Sequence, residues 1–231
     1  MFADVAVYNR TVMTATQLPM VIDKAINAAY EKRDPAVVII PKDLGWQEID
    51  EYISSTGLYR EHTWERPAAA DEVQAAADML IEAKRPYIYF GQGAKGTANE
   101  LRELSDLLQV PLGSTYLAKP IIEGDEQAWM GSTGRVATKP SVDGAYHADS
   151  VLFIGTNFEF PMFNPEARFI DVNLRRAVLG DRHPAYLGIV ADAPTFLRQL
   201  LAEVKTRKEA GVDLSSAHQG WYDALVADRA E

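Results

Sequence analysis

The stretch Pro86-Tyr87-Ile88-Tyr89-Phe90-Gly91-Gln92-Gly93-Ala94-Lys95-Gly96 constrains the fold of this chain more than any other. An apolar, aromatic-rich run stops in three glycines, and a segment of helical periodicity, Thr97 to Leu108, follows at once. The order is strand, tight turn, helix. A turn of this kind offers backbone N–H groups and the positive end of a helix to an anion lying above it. Gly91, Gly93 and Gly96 also have the spacing of the dinucleotide fingerprint, in the context that gives that pattern meaning. Two readings stand at this point: a bound nucleotide, or glycines that only turn the chain.

The flanking periodicities extend the pattern. Helical spacing marks Gln17 to Glu31, a segment from Asp71 that closes before Arg85-Pro86, the run after the glycines, Ser141 to Ala148, and Ala193 to Lys208. Short apolar strands are expected at Ala36 to Ile40, Gln109 to Thr115, Val151 to Gly155, Arg168 to Leu174 and Tyr186 to Val190. Residues 121–135 read as irregular. Strands without polar alternation, separated by helices, predict an α/β fold with a doubly wound parallel sheet. Before residue 45 only one helix and one strand are visible, so this segment reads as the end of another domain. Residues 46–67 read as a linker with Ser54-Ser55-Thr56-Gly57, and 211–231 as a polar tail or the start of a further linker.

Composition removes several function classes. The 231 residues carry a net charge of −10, which argues against nucleic acid as a general partner. There is no cysteine, so disulfides, thiolate nucleophiles and cysteine-bound metals are excluded, as suits a cytoplasmic protein. No apolar run approaches the roughly 20 residues needed to cross a bilayer. The four histidines, His62, His147, His183 and His218, lack metal-ligand spacing, and no nucleophile elbow occurs. Asp125-Glu126 has no visible acid–base partner, and no complete catalytic constellation is found.

A doubly wound sheet binds its ligand outside the carboxyl ends of the strands. Gly91 to Ala94, Thr115 to Lys119, Gly155 to Phe158, Asn173 to Arg175 and Ala191 to Ala193 converge there. The acidic residue that an NAD site wants about 20 residues past the glycines is absent, and Tyr116 and Lys119 stand in that region instead. Lys119 could meet a phosphate or be a solvated surface lysine. Arg135, within Gly131-Ser132-Thr133-Gly134-Arg135-Val136-Ala137, is the best cation candidate for a phosphate or an electron-rich ring, against the plain reading of an exposed loop arginine.

These residues resemble a known family. Tyr8-Asn9-Arg10 with Leu18-Pro19, and Val37-Val38-Ile39-Ile40-Pro41-Lys42-Asp43-Leu44, are similar to the end of the pyrimidine-binding domain of thiamine-diphosphate-dependent enzymes. Arg85 to Ala94, Ser114-Thr115-Tyr116-Leu117-Ala118-Lys119, Gly131 to Lys139 and Leu179-Gly180-Asp181-Arg182-His183 resemble the central domain of the same family. The Ser-Thr-Tyr-x-Ala-Lys and Gly-Ser-x-x-Arg-Val-Ala runs favour the pyruvate oxidase branch over acetolactate synthases.

The resemblance implies a six-stranded parallel sheet with helices on both faces, holding an extended FAD. It implies that 1–45 are the end of the pyrimidine-binding domain and 68–210 the FAD-binding central domain. Carried over by position, Gly91, Gln92, Gly93 and Ala94 would lie along the pyrophosphate and ribityl chain. Thr115, Tyr116 and Lys119 would line the flavin side, with Gly131, Ser132 and Arg135 nearby; a cation such as Arg135 stabilises a reduced, anionic flavin. Asn157 and Phe158 would continue the groove, and Asn173, Leu174, Asp192 and Ala193 would hold the adenosine end. The family usually has Asp at the position of Asn173, and Asp-Pro at that of Arg175-Arg176. Thiamine diphosphate and magnesium would belong to other domains of a homotetrameric enzyme, leaving this chain inactive alone. A structural FAD, as in acetolactate synthases, or a stand-alone nucleotide-binding module are the alternatives.

Overall fold

The computed structural model describes residues 2–52, 65–122, 126–157 and 162–230. The chain divides into two compact units, Met1–Trp64 and Glu65–Glu231.

In the first unit, strand β1 (Tyr8–Thr11) and strand β2 (Ala36–Ile39) pair in parallel around helix α1 (Leu18–Lys32). The expectation of a lone strand is corrected here. β1 escaped notice because Tyr8-Asn9-Arg10-Thr11 is polar and mostly exposed, so it carries no apolar run. Val12, Val21 and Leu44 form the small core. On α1 the buried set is Val21, Asp23 and Ala25, while Ile22 is exposed. The buried Asp23 carboxylate takes a hydrogen bond from the Tyr52 phenol. The expected Ser54–Gly57 loop lies outside the described residues.

The second unit is built on six parallel strands. β3 (Pro86–Phe90), β4 (Leu112–Ser114), β5 (Trp129–Ser132), β6 (Ser150–Ile154), β7 (Arg168–Asn173) and β8 (Ala185–Val190) lie in the order β5-β4-β3-β6-β7-β8. Every neighbouring pair is parallel. The fold class is therefore the expected doubly wound α/β sheet. One strand falls where the sequence reads as irregular. β5 has four residues, one of them glycine, too short and too mixed to show a pattern.

Strand alternation divides the core into two layers. Ile88, Phe90, Leu152, Ile154, Ile170 and Val172 face the larger cluster, which includes buried residues of helix α2 (Ala70–Glu82), helix α3 (Ala98–Leu108) and helix α5 (Ala193–Glu209). Tyr87, Tyr89, Val151, Phe153 and Phe169 face the other, with Ala145 of helix α4 (Lys139–His147) and Leu225 of helix α6 (Gln219–Ala230). Helix α3 places Leu101, Leu104 and Leu108 at intervals of three and four, as a one-sided helix requires.

Residues expected as a tail or linker pack within this unit. Leu214, Tyr222 and Leu225 are buried. The buried His218 ring reaches the Leu108 and Ile81 carbonyls, at 2.5 and 3.2 Å, near the carboxyl ends of α3 and α2.

The strands end almost level. Phe90 is opposite both Ser114 and Ile154, and Ser114 is opposite Ser132. The following residues, Gly91, Thr115, Thr133 and Gly155, therefore emerge together on one edge. Chain direction along the sheet reverses between β3 and β6, and a crevice is expected there.

Candidate functional site

The glycine turn behaves differently from its sequence reading. Gly91 N–H donates to the Ile154 carbonyl (3.0 Å) and Gly93 N–H to the Gly155 carbonyl (2.9 Å). Ala94, Lys95 and Thr97 N–H groups bond back to Gly91, Gln92 and Ala94. These amides are satisfied within the protein and are not presented to an anion. A Cβ on Gly93 would lie 2.7 Å from the Gly155 Cα, and Gly155 itself has φ +61. The glycines let the loops after β3 and β6 touch backbone to backbone. Gly91 and Ala94 are buried, leaving Gln92 and Gly93 exposed.

Beside this contact opens a groove of about 610 Å³. Gln92 comes from the β3 end, Thr115, Tyr116 and Leu117 from β4, Thr133 to Val136 from β5, and Gly155, Thr156 and Asn157 from β6. Of the residues singled out in the sequence, Gln92, Thr115, Tyr116, Arg135 and Asn157 are brought together here. Tyr116, Leu117 and Val136 are exposed by 63%, 67% and 68%, an apolar rim around a floor of small residues. Arg135 is exposed at the mouth and makes no ion pair among the described residues.

Leu117, Thr133, Gly134, Val136, Gly155 and Thr156 line the groove without having been individual candidates. Their one sequence signal is position: each lies within five residues of a strand's carboxyl end.

Other candidates do not line this groove. Lys119 is exposed and lies 6.0 Å from the centroid of the Trp129 ring. Gly131 borders a separate cavity of about 320 Å³ with Trp129, Thr138 and Lys139, and Ser132 is buried in the sheet. Phe158 lies outside the described residues.

The β7 and β8 ends form the second half of the edge. Asn173 Nδ2 donates to the Thr156 carbonyl at 3.2 Å and lies 2.9 Å from the Asn157 side-chain amide. Its Oδ1 accepts from Arg175 N–H at 3.1 Å, so Asn173 ties two loops together. Leu174 follows, half-buried. The Asp192 carboxylate caps α5 by accepting from Thr195 N–H at 3.2 Å and the Thr195 hydroxyl at 2.9 Å. Ala193 is buried behind it.

A smaller cavity of about 120 Å³ sits on this side, lined in part by Phe153, Phe169, Asp171 and His183. Thr156 and Asn157 border both cavities, so the two are neighbours across one loop. Burial pushes the Asp171 carboxyl above the usual carboxylate range, partly offset by the N–H of Gly180 that it accepts at 2.8 Å.

This geometry has relatives. The family model described as "Thiamine pyrophosphate enzyme, central domain" matches residues 73–200. The chain is 40% identical, over 98% of its length, to a pyruvate oxidase of Lactiplantibacillus plantarum, of which it spans 37%. It is 26% identical to an acetolactate synthase of Mycobacterium bovis, over 86% of this chain and 34% of that one. It is also 26% identical to a sulfoacetaldehyde acetyltransferase of Roseovarius nubinhibens, over 97% of this chain and 39% of that one. The chain thus spans well under half the length of these three relatives. With the matched segment running from α2 into α5 and enclosing all six strands, the chain belongs to the thiamine pyrophosphate enzyme family and carries its central domain.

Proposed function

We propose that this chain holds FAD in the crevice at the switch point, as the flavin-binding part of an enzyme of the pyruvate oxidase type. The observation that carries the reading is the groove itself. It joins Gln92, Thr115, Tyr116, Arg135 and Asn157 from four strand ends, where an α/β sheet takes its ligand. Its volume, about 610 Å³, falls inside the range of roughly 300–1,000 Å³ usual for cofactor sites. The donor set fits a flat, electron-accepting ring. Gly134, Gly155 and the threonines would leave room for a plane, Tyr116 and Leu117 would offer it apolar surface, and the Arg135 guanidinium would supply positive charge.

From the ring, the dinucleotide would run past Thr156 and Asn157 toward Asn173, Leu174, Asp192 and Ala193. Phosphates would be met by Gln92 and side chains of the rim, because the Gly91 and Gly93 amides are already bonded within the protein. FAD supplies two-electron acceptance and transfer onward to oxygen. In the whole enzyme the reading gives oxidation of pyruvate, with phosphate and oxygen, to acetyl phosphate, carbon dioxide and hydrogen peroxide. Thiamine diphosphate and magnesium would be held by other domains, in a homotetramer of the cytoplasm, and this chain alone would not turn over pyruvate. The acetolactate synthase relative supports a second reading, in which the same groove holds FAD without redox work.

Titration of the chain with FAD, followed by the visible flavin band and by fluorescence quenching, tests the cofactor. Saturable uptake is expected, weakened roughly ten-fold in Arg135→Ala. Failure to take up flavin at high FAD, or uptake of NADP in its place, overturns the assignment. For the reaction, peroxide formed from pyruvate by the whole enzyme separates the oxidase reading from acetolactate formation. Peroxide from this chain alone would overturn the expectation that it is inactive by itself.

A further inference from the structure

Beneath the loop that carries Arg135 lies a polar network in an otherwise apolar layer. Tyr87, Tyr89 and Ser141 are buried, Ser141 and both tyrosines completely, and Thr133 is 2% exposed. The Tyr87 hydroxyl lies 3.3 Å from Ser141 Oγ and 3.4 Å from the Ser141 carbonyl. Ser141 Oγ donates to the Gly131 carbonyl at 3.2 Å and also meets Thr133 Oγ1 in a short hydrogen bond. The Tyr89 hydroxyl donates to the Thr133 carbonyl at 3.4 Å. The backbone is pinned as well, through Thr133 N–H to the Ser114 carbonyl (3.1 Å) and Thr138 N–H to the Ser132 carbonyl (3.2 Å).

Sterics hold this network in place. Tyr87 lies against Gly113 of β4 and Gly144 of α4, where any Cβ would overlap its ring or hydroxyl. Tyr89 stacks on Phe153, with ring centroids 5.5 Å apart. Four hydroxyls in an apolar layer are a costly arrangement unless each is bonded, and a bonded set specifies one geometry strongly. The arrangement ends two residues before Arg135, at Thr133, which itself lines the groove. Beyond Thr133 the chain is half-buried at Gly134 and exposed from Arg135 to Lys139.

We infer that Tyr87, Tyr89 and Ser141 are positioning residues: they fix the Thr133 end of the loop so that Arg135 is held at the groove mouth in one orientation. An exposed arginine on a free loop would have to order its backbone and its long side chain on binding, and that entropy would subtract from affinity. The buried hydroxyls supply that order before any ligand arrives. This inference rests on the FAD reading for its ligand but not for its geometry, and the test separates the two.

The variants are Ser141→Ala and Tyr89→Phe, each removing one hydroxyl. Amide hydrogen exchange without ligand reads the geometry. Exchange at Thr133 and Thr138 should speed up in Ser141→Ala while α2 and α5 stay protected, and unchanged exchange at those two amides overturns the inference whether or not FAD binds. FAD affinity reads the consequence: each variant should bind several-fold more weakly, and the loss should nearly vanish when Arg135→Ala is the background. Additive losses in that cycle would mean that the hydroxyls do not act through Arg135, and would overturn the inference. Wild-type chain that takes up no FAD overturns the flavin reading alone. If Ser141→Ala does not fold, Tyr89→Phe carries both measurements.

Discussion

Two glycine-bearing loops meet the same crevice and do opposite things. The loop after β3, Gly91 to Gly96, has the spacing of a phosphate-binding fingerprint, yet the Gly91 and Gly93 amides are bonded inward and these two glycines serve contact with Gly155. The loop after β5, Thr133 to Val136 with Gly134 as its glycine, has no such spacing, yet it brings an exposed arginine to the groove. Glycine has two uses, close approach of backbones and freedom for a ligand, and spacing alone does not tell them apart. What distinguishes them is where the neighbouring carbonyls fall. Here β6 stands beside β3, and the Ile154 and Gly155 carbonyls at its end accept the Gly91 and Gly93 N–H groups.

The sharpest way to break this contrast is Gly155→Val. A β-branched residue at φ +61, with the Gly93 backbone 2.8 Å from its Cβ, forces the two loops apart. The expected cost is roughly 3 kcal/mol of stability, read from chemical denaturation. A loss under about 0.5 kcal/mol, the scale of ordinary surface changes, would show that the loops are not packed as described.

Arg135→Ala acts on the other loop and should leave stability within about 0.5 kcal/mol, because the side chain is exposed. Its effect should fall on FAD affinity, by about ten-fold, which is about 1.4 kcal/mol. The reverse pattern, lost stability with intact affinity, would make this loop a packing element too.

Asp192→Ala tests the far side of the crevice. Removing the cap of α5 should cost about 1 kcal/mol, seen as a lowered melting temperature, and Asp192→Asn should restore most of it. No recovery with Asn would mean that charge, and not capping, is what the position contributes.

The smallest effect is expected at Asp171. Its carboxyl is raised by burial, so the folded protein holds that proton more tightly than the unfolded chain does. The stability it contributes is therefore complete below the unfolded pKa and is lost as pH rises through the folded value. Asp171→Asn removes this titration while keeping an acceptor for Gly180 N–H. Its denaturation midpoint should gain on the unaltered protein as pH rises from about 4 toward neutrality. A constant difference, or one of opposite sign, would contradict the assigned shift.

Legibility in the sequence followed the strength of the local signal. β3, β6 and α5 are long and apolar enough to show their period, and each was legible within about a residue. β1 and β5 were not. The first is exposed and polar, and the second is four residues containing Gly131, so both are strands only because a partner strand supplies their hydrogen bonds. The end segment 211–230 read as polar because its buried residues, Leu214, His218, Tyr222 and Leu225, are spaced among charged ones.

The sequence by itself determined the alternation of buried strands and helices, and with it a parallel sheet whose strand ends are where such a fold offers a ligand crevice. Those are consequences of short-range pattern and of rules that hold for every such sheet. Only the tertiary structure decided which strand ends meet. Setting β6 beside β3 turned Gly91 and Gly93 from ligand amides into loop contacts, and setting β5 beyond β4 carried Arg135 to the groove. Hydrogen-bond partners and close approaches depend on residues more than 40 positions apart, and no local pattern records them.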